Sequence, residues 1–371
     1  LIYFDNAATT PMTDSVIKAM TEMMAATFGN PSSIHSYGRA ANKLLRDCRQ
    51  KVAQVFDVPS RNIIFTSGGT ESNNTALKGY ALAHQEQGKH IISTTIEHHS
   101  VLNSLHYLEK RFGFEVTYLN PIAGRISAQQ VSDALREDTI LVSTMFANNE
   151  TGDLLPIEEI GNLLKEHQAA FHVDAVQAVG KIPIHPKELN IDFLSASAHK
   201  FHGPKGVGIL YAGDLHFDNF LHGGEQEEKR RASTENLIGI TGLAQALIEA
   251  QTHQKDNWEY VSNLKKTFLE GLDGLDYYLN SNEDALPYVV NIGFPNYNNG
   301  ILLTQLDLAG FAISTGSACT AGTVDPSHVL SAKYRANSQR LQESVRISFS
   351  DLNKLDEAKA LAAKIKEIVG K

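Results

Sequence analysis

The chain has 371 residues, 42% hydrophobic and 20% charged, an ordinary globular mix long enough for two or three domains with a sizeable core. A formal net charge of −9 argues against a broad basic nucleic-acid surface, and two cysteines are too few for a disulfide scaffold. No apolar run approaches membrane-span length, and the opening LIYFDNAATTP has no basic region followed by an apolar one. The expectation is a cytoplasmic chain with no membrane contact and no direct nucleic-acid binding.

Strand-like and helix-like segments alternate from about residue 60 to 245. The pattern predicts a strand at 62–67, a helix over 70–87, strands at 90–96 and 114–120 around a helix, and a helix over 127–137. A strand at 139–146, a helix from LPIEEIGNLL, and strands at 169–175, 191–198 and 206–212 follow. This rhythm predicts a mainly parallel sheet covered by helices, with ligands at the carboxyl ends of its strands. A helical stretch over 236–272 leaves that domain, and a smaller α+β pattern follows. The expected division is an N-terminal segment 1–14 packing near the small domain, a large domain 15–255 and a small domain 256–371. Cys48 falls in a helical pattern and is expected to be structural. The Lys229, Arg230 and Arg231 cluster is expected to be a solvated loop.

Four local features carry chemistry. Lys200 ends the strand-like SASAHK, where a lysine can hold an aldehyde cofactor as a Schiff base and serve as a general base. Lys205, in Gly-Pro-Lys-Gly, is its rival but reads as a turn. Asp174 ends another strand and can keep a pyridine nitrogen protonated by opposite charge; Gln177 can donate to a phenolic oxygen. Gly68, Gly69 and Thr70 stand between a strand and a helix, where free N–H groups favour phosphate, and Ser197 and His199 can join them. Cys319 lies in a Gly-Ser-Ala-Cys-Thr segment and adds a nucleophile. His98 can stack on a cofactor ring and exchange protons; the neighbouring His99 is ambiguous. No metal is expected, because the histidine spacings match no closed zinc site.

Taken together, DNAATTP (5–11), FGNPSSIHSYGRAA (28–41), TSGGTESNN (66–74), EHHSVL (97–102), NNETG (148–152), FHVDAVQAVGK (171–181), SASAHKFHGPKGVG (195–208), RRASTEN (230–236), STGSACTAG (314–322) and SVRIS (344–348) are specific. The chain resembles the group I, NifS- and IscS-like cysteine desulfurases of the class V pyridoxal-phosphate-dependent aminotransferase superfamily, from residue 5 to the last helix. The resemblance implies fold type I, with a large domain built on a seven-stranded sheet and a small C-terminal domain. It implies pyridoxal 5'-phosphate on Lys200, stacked by His98, with Asp174 and Gln177 on the ring and Gly69, Thr70, Ser197 and His199 at the phosphate. Thr234 matches a threonine supplied from the partner subunit of a homodimer. Asn149 and Arg346 match residues near the substrate carboxylate. Cys319 matches the cysteine that takes sulfur from L-cysteine as a persulfide, leaving L-alanine. The sulfur acceptor is then a protein of iron–sulfur cluster assembly or of transfer-RNA thiolation, and the short end after the last helix tilts the expectation slightly toward the second. Competing readings are a selenocysteine lyase, an ordinary aminotransferase and, further off, a noncatalytic assembly platform.

Overall fold

The computed structural model describes residues 1–316 and 326–370. Twelve strands arise in chain order: β1 (Ile2–Tyr3), β2 (Ile63–Thr66), β3 (His90–Thr94), β4 (Glu115–Leu119), β5 (Thr139–Met145), β6 (Ala170–Asp174), β7 (Phe193–Ser197), β8 (Gly208–Ala212), β9 (Tyr278–Leu279), β10 (Val289–Gly293), β11 (Phe311–Ala312) and β12 (Ser344–Ser348). Seven form one sheet in the order β2-β8-β7-β6-β5-β3-β4. Strands β3 to β7 run parallel, as the alternating pattern predicts. Only β8 is reversed, pairing antiparallel with β7 on one side and β2 on the other. Two reversals cancel, so the carboxyl end of β2 lies on the same edge as those of β5, β6 and β7. Along that edge Met145, Asp174 and Ser195 stand level in register.

Apart from the edge strand β4, both faces of the sheet are buried, as expected for a sheet covered by helices. Phe171, Val173, Leu194 and Ile209 pack in one cluster with the helices Ser36–Phe56 and Leu237–Thr252; Ile91, Leu141, Phe193 and Leu210 pack in another with Val101 and Leu105. Cys48 is a buried member of the first cluster, and burial raises its thiol pKa.

A third cluster is built from β10, β12 and the helices Gln254–Gly271, Asn299–Leu308 and Leu355–Val369. Strands β12-β10-β9 form its antiparallel sheet. Phe4 joins this cluster although it lies at the other end of the chain, and β1 pairs parallel with β11. Trp258 touches both this cluster and the first.

Local differences from expectation have physical causes. The helix expected over 70–87 stops at Ala83 and contains a π turn, Thr75–Gly79. The stretch expected over 236–272 breaks at His253 into two helices. The basic cluster is not simply a solvated loop. Lys229 is exposed, but Arg231 forms a fork with the carboxylate of Glu71, at 2.8 and 3.1 Å, with both side chains largely buried.

Candidate active site

Beyond β2 the chain turns through Gly68, whose φ of 148° suits glycine, into the helix beginning at Gly69. A Cβ on Gly69 would stand 2.6 Å from Cγ2 of Val176, so only glycine lets this turn approach the loop after β6. Glu71 fixes the turn from within: its carboxylate accepts from the Ser67 amide at 2.7 Å while Arg231 holds its other side. Despite burial, these donors keep the Glu71 carboxyl below its ordinary range.

On the same edge, a cavity of about 300 Å³ is lined by Gly69, Thr70, His98, Asn149, Asp174, Gln177, Ser197, His199, Lys200 and Arg346. These are the sequence-predicted site residues except Cys319 and Thr234. Cys319 lies outside the described residues. Thr234 lines a separate cavity with Ser67, Ser233 and Arg231. Lys205 is exposed and does not line the site.

The Asp174 carboxylate is held by the side-chain amide of Asn73 at 2.8 Å and the Val176 backbone amide at 3.0 Å. Asn73 also donates to the Ser100 hydroxyl, 2.9 Å away. His98 accepts at Nδ1 from the Ser100 amide at 3.1 Å, so the neutral ring carries its proton on Nε2. Burial lowers the His98 pKa against the opposing pull of Asp174. His199 is pushed down to about 4 by burial, helped by the charges of Lys200 and Lys205, and its Nδ1 lies 3.1 Å from Thr9 Oγ1.

Lys200 closes a short 3-10 turn after β7 and donates to the carbonyls of Ala7 and Ala8, at 2.6 and 2.8 Å. The N-terminal segment therefore forms a wall of the site. Arg346, on β12, is 2% exposed and donates to Asp5 Oδ1 at 2.8 Å and to the carbonyls of Asn149 and Gly316 at 2.9 and 2.7 Å. Among the described residues its Nε is buried without a partner. The guanidinium lines the cavity, so it is a cation that a ligand there would meet.

Sequence reasoning did not single out Asp5 and Glu150, and it left His99 ambiguous. Asp5 is the anionic partner of Arg346, and its only sequence signal is a place in DNAATTP. Glu150 accepts from the Ser327 hydroxyl, and a Cβ at Gly316 would stand 2.8 Å from its Oε2, so its carboxylate lies beside both ends of the segment carrying Cys319. His99 packs against His328, with ring centroids 4.7 Å apart, and both line the cavity.

Glu97 is fully buried behind His98. Its Oε1 accepts from Thr94 Oγ1 and the Met145 amide, while Oε2 has no partner among the described residues. Burial lifts its pKa from 4.5 to about 8. An acid with a raised folded pKa loses stability as pH climbs from its unfolded value toward its folded one, because the unfolded chain sheds the proton first. Glu97→Gln should therefore gain little thermal stability near about pH 4 and most above about pH 8. Melting curves across that range check this; a gap that does not widen with pH would count against it.

A pyridine-type cofactor bearing an aldehyde and a phosphate fits these residues: a lysine, a carboxylate already oriented at the sheet edge, an imidazole, and a glycine turn that a Cβ would fill. Residues 2–361 match the family Aminotransferase class-V. A Bacillus subtilis (strain 168) protein of IscS name is 48% identical over 373 residues, covering 99% of this chain and 98% of that one. The Methanosarcina thermophila protein named "Cysteine desulfurase IscS" is 44% identical over 375 residues, covering 100% and 92%. A solved structure titled "NIFS-LIKE PROTEIN" superposes with a TM-score of 0.93 at 36% identity, covering 100% of this chain and 99% of that one. With a family match along nearly its whole length and relatives of this identity and coverage, the chain belongs to the class V aminotransferases, in their group I, NifS/IscS-like cysteine desulfurase branch.

Proposed function

We propose that the protein converts L-cysteine to L-alanine and carries the released sulfur as a persulfide on Cys319, with pyridoxal 5'-phosphate held on Lys200. The observation that carries this reading is the convergence of Lys200, Asp174, His98 and Arg346 on one cavity whose wall continues to Gly316, three residues before Cys319. When bound, the cofactor supplies an aldehyde and an electron-accepting ring.

The chain's residues then divide the work. Thr70, Ser197 and His199 would hold the phosphate with the amides of the Gly68–Gly69 turn. His98 would stack on the ring. Asp174 would keep a proton on the ring nitrogen, and Gln177 would donate to the phenolic oxygen. Arg346 takes the substrate carboxylate with its guanidinium, with Asn149 beside it. The Lys200 amine takes the α-proton and returns it to the product. The Cys319 thiolate attacks the substrate sulfur: the carbon–sulfur bond breaks, a sulfur–sulfur bond forms, and a proton replaces sulfur on the β-carbon. L-Cysteine and one thiol thus become L-alanine and one persulfide, with no external oxidant. A second subunit completes the site. Thr234 lines a cavity apart from Lys200, which fits a residue serving the partner's phosphate. The persulfide passes to an acceptor protein of iron–sulfur cluster assembly or transfer-RNA thiolation.

The test is addition of L-cysteine and a thiol reductant to the cofactor-loaded enzyme, following alanine and sulfide together. Matched products are expected, and Cys319→Ala should keep the cofactor but form no persulfide. Alanine without sulfur release, or unchanged sulfur transfer by Cys319→Ala, would overturn the reading.

A further inference from the structure

Lys181 plays no part in the chemistry above, yet its amine is buried beside the site. Its Nζ donates to Gln177 Oε1 at 3.2 Å and lies 5.4 Å from the centre of the Tyr288 ring. Gln177 in turn donates from Nε2 to the Ala7 carbonyl, 3.0 Å away, the same carbonyl that accepts from Lys200.

A carboxamide is asymmetric: turning its last torsion by half a revolution exchanges acceptor and donor. Flipped, Gln177 would set an NH2 group against the Lys181 donor and an oxygen against the Ala7 oxygen. With the amine charged both contacts would be buried mismatches, with it neutral the Ala7 contact still would be, and leaving buried polar groups unsatisfied is costly. The observed orientation satisfies both neighbours and leaves one N–H on Nε2.

We propose that Lys181 is a positioning residue that locks the Gln177 carboxamide so that its remaining N–H serves the cofactor's phenolic oxygen. This rests on the reading of Gln177 given above. Burial, aided by the charge of Lys200, brings the Lys181 pKa down to about 7, and the amine donates in either protonation state. Its other side borders a second cavity of about 300 Å³, where Glu249, His253 and the His202–Asp351 pair are the other titratable groups besides Tyr288 and Lys200.

The donated hydrogen bond favours the phenolate, so losing it moves upward the pH midpoint of the lysine-bound cofactor's visible absorbance. That midpoint is measured by spectral titration of the loaded wild type, Gln177→Leu, Lys181→Met and the double variant. Lys181→Met keeps the buried bulk and removes the donor; Lys181→Leu serves the same purpose should it not fold. Each single variant should raise the midpoint by about half a unit to one unit, the worth of one hydrogen bond. Loss of the Lys181 charge alone would move it the same way, so the double variant decides. With positioning, Lys181→Met adds little once Gln177 is leucine. A full additional shift in the double variant, or no shift in Lys181→Met, overturns the proposal. An unmoved midpoint in Gln177→Leu instead removes the Gln177 assignment on which it stands.

Discussion

Lys200→Ala should leave a folded chain that has lost the visible absorbance of lysine-bound cofactor and turns over L-cysteine at least roughly 10³-fold more slowly, the scale of a lost general base. The variant forfeits two hydrogen bonds to the N-terminal segment, those to Ala7 and Ala8, so a modest fall in stability is also expected. The seven-stranded sheet does not depend on them. Absorbance and alanine formation measured on one preparation separate the two effects. Persistence of both the absorbance and turnover would show that another amine holds the cofactor, and Lys205, exposed and not lining the cavity, is not the natural substitute.

Arg346→Met should damage both catalysis and fold. The guanidinium joins three segments far apart in sequence: Asp5, the Asn149 carbonyl and the Gly316 carbonyl. Removing one partner of a buried pair strands the other, at a cost of about 3 kcal/mol or more. Asp5 retains some solvent contact, its side chain being 19% exposed, which sets the expectation at the lower end. A substrate carboxylate deprived of a charged donor should bind roughly tenfold to a hundredfold more weakly, mainly through KM. Urea unfolding and kinetics on L-cysteine check the two parts. Asp5→Asn makes the contrast: it keeps the guanidinium and should lose less substrate affinity than Arg346→Met. An unchanged KM in Arg346→Met would remove the residue from substrate binding whatever its cost in stability.

Much of the site was legible because its signals are local. Asp174 ends a strand, Lys200 follows one by three residues, Gly68 and Gly69 make a turn before a helix, and His98 follows β3 by four residues. Strand, turn and residue type sit within a few positions of one another. A parallel sheet then gathers all strand ends on one edge, so side chains distant in sequence meet without any further sequence signal. The reversed β8 was anticipated only as an additional strand, and its orientation preserves this edge by bringing β2 round with it.

What escaped was pairing across long separations. Asp5 meets Arg346 across 341 positions, Glu71 meets Arg231 across 160, and Glu150 meets Ser327 across 177. Lys181 escaped for a different reason. It lies only four residues from Gln177, but a lysine at that point of the sequence reads as a surface charge. Its burial depends on Tyr288 and the N-terminal segment, which come from elsewhere in the chain.

The sequence by itself determined the alternation of elements, the family and the residue types that line the candidate site, since hydrophobic period, turn chemistry and motif are properties of neighbouring residues. Only the tertiary structure decided which buried charges are paired, which way the Gln177 amide faces and which wall Lys200 leans on. Those choices follow from packing and from the cost of leaving a buried polar group unpartnered, and neither has a period along the chain.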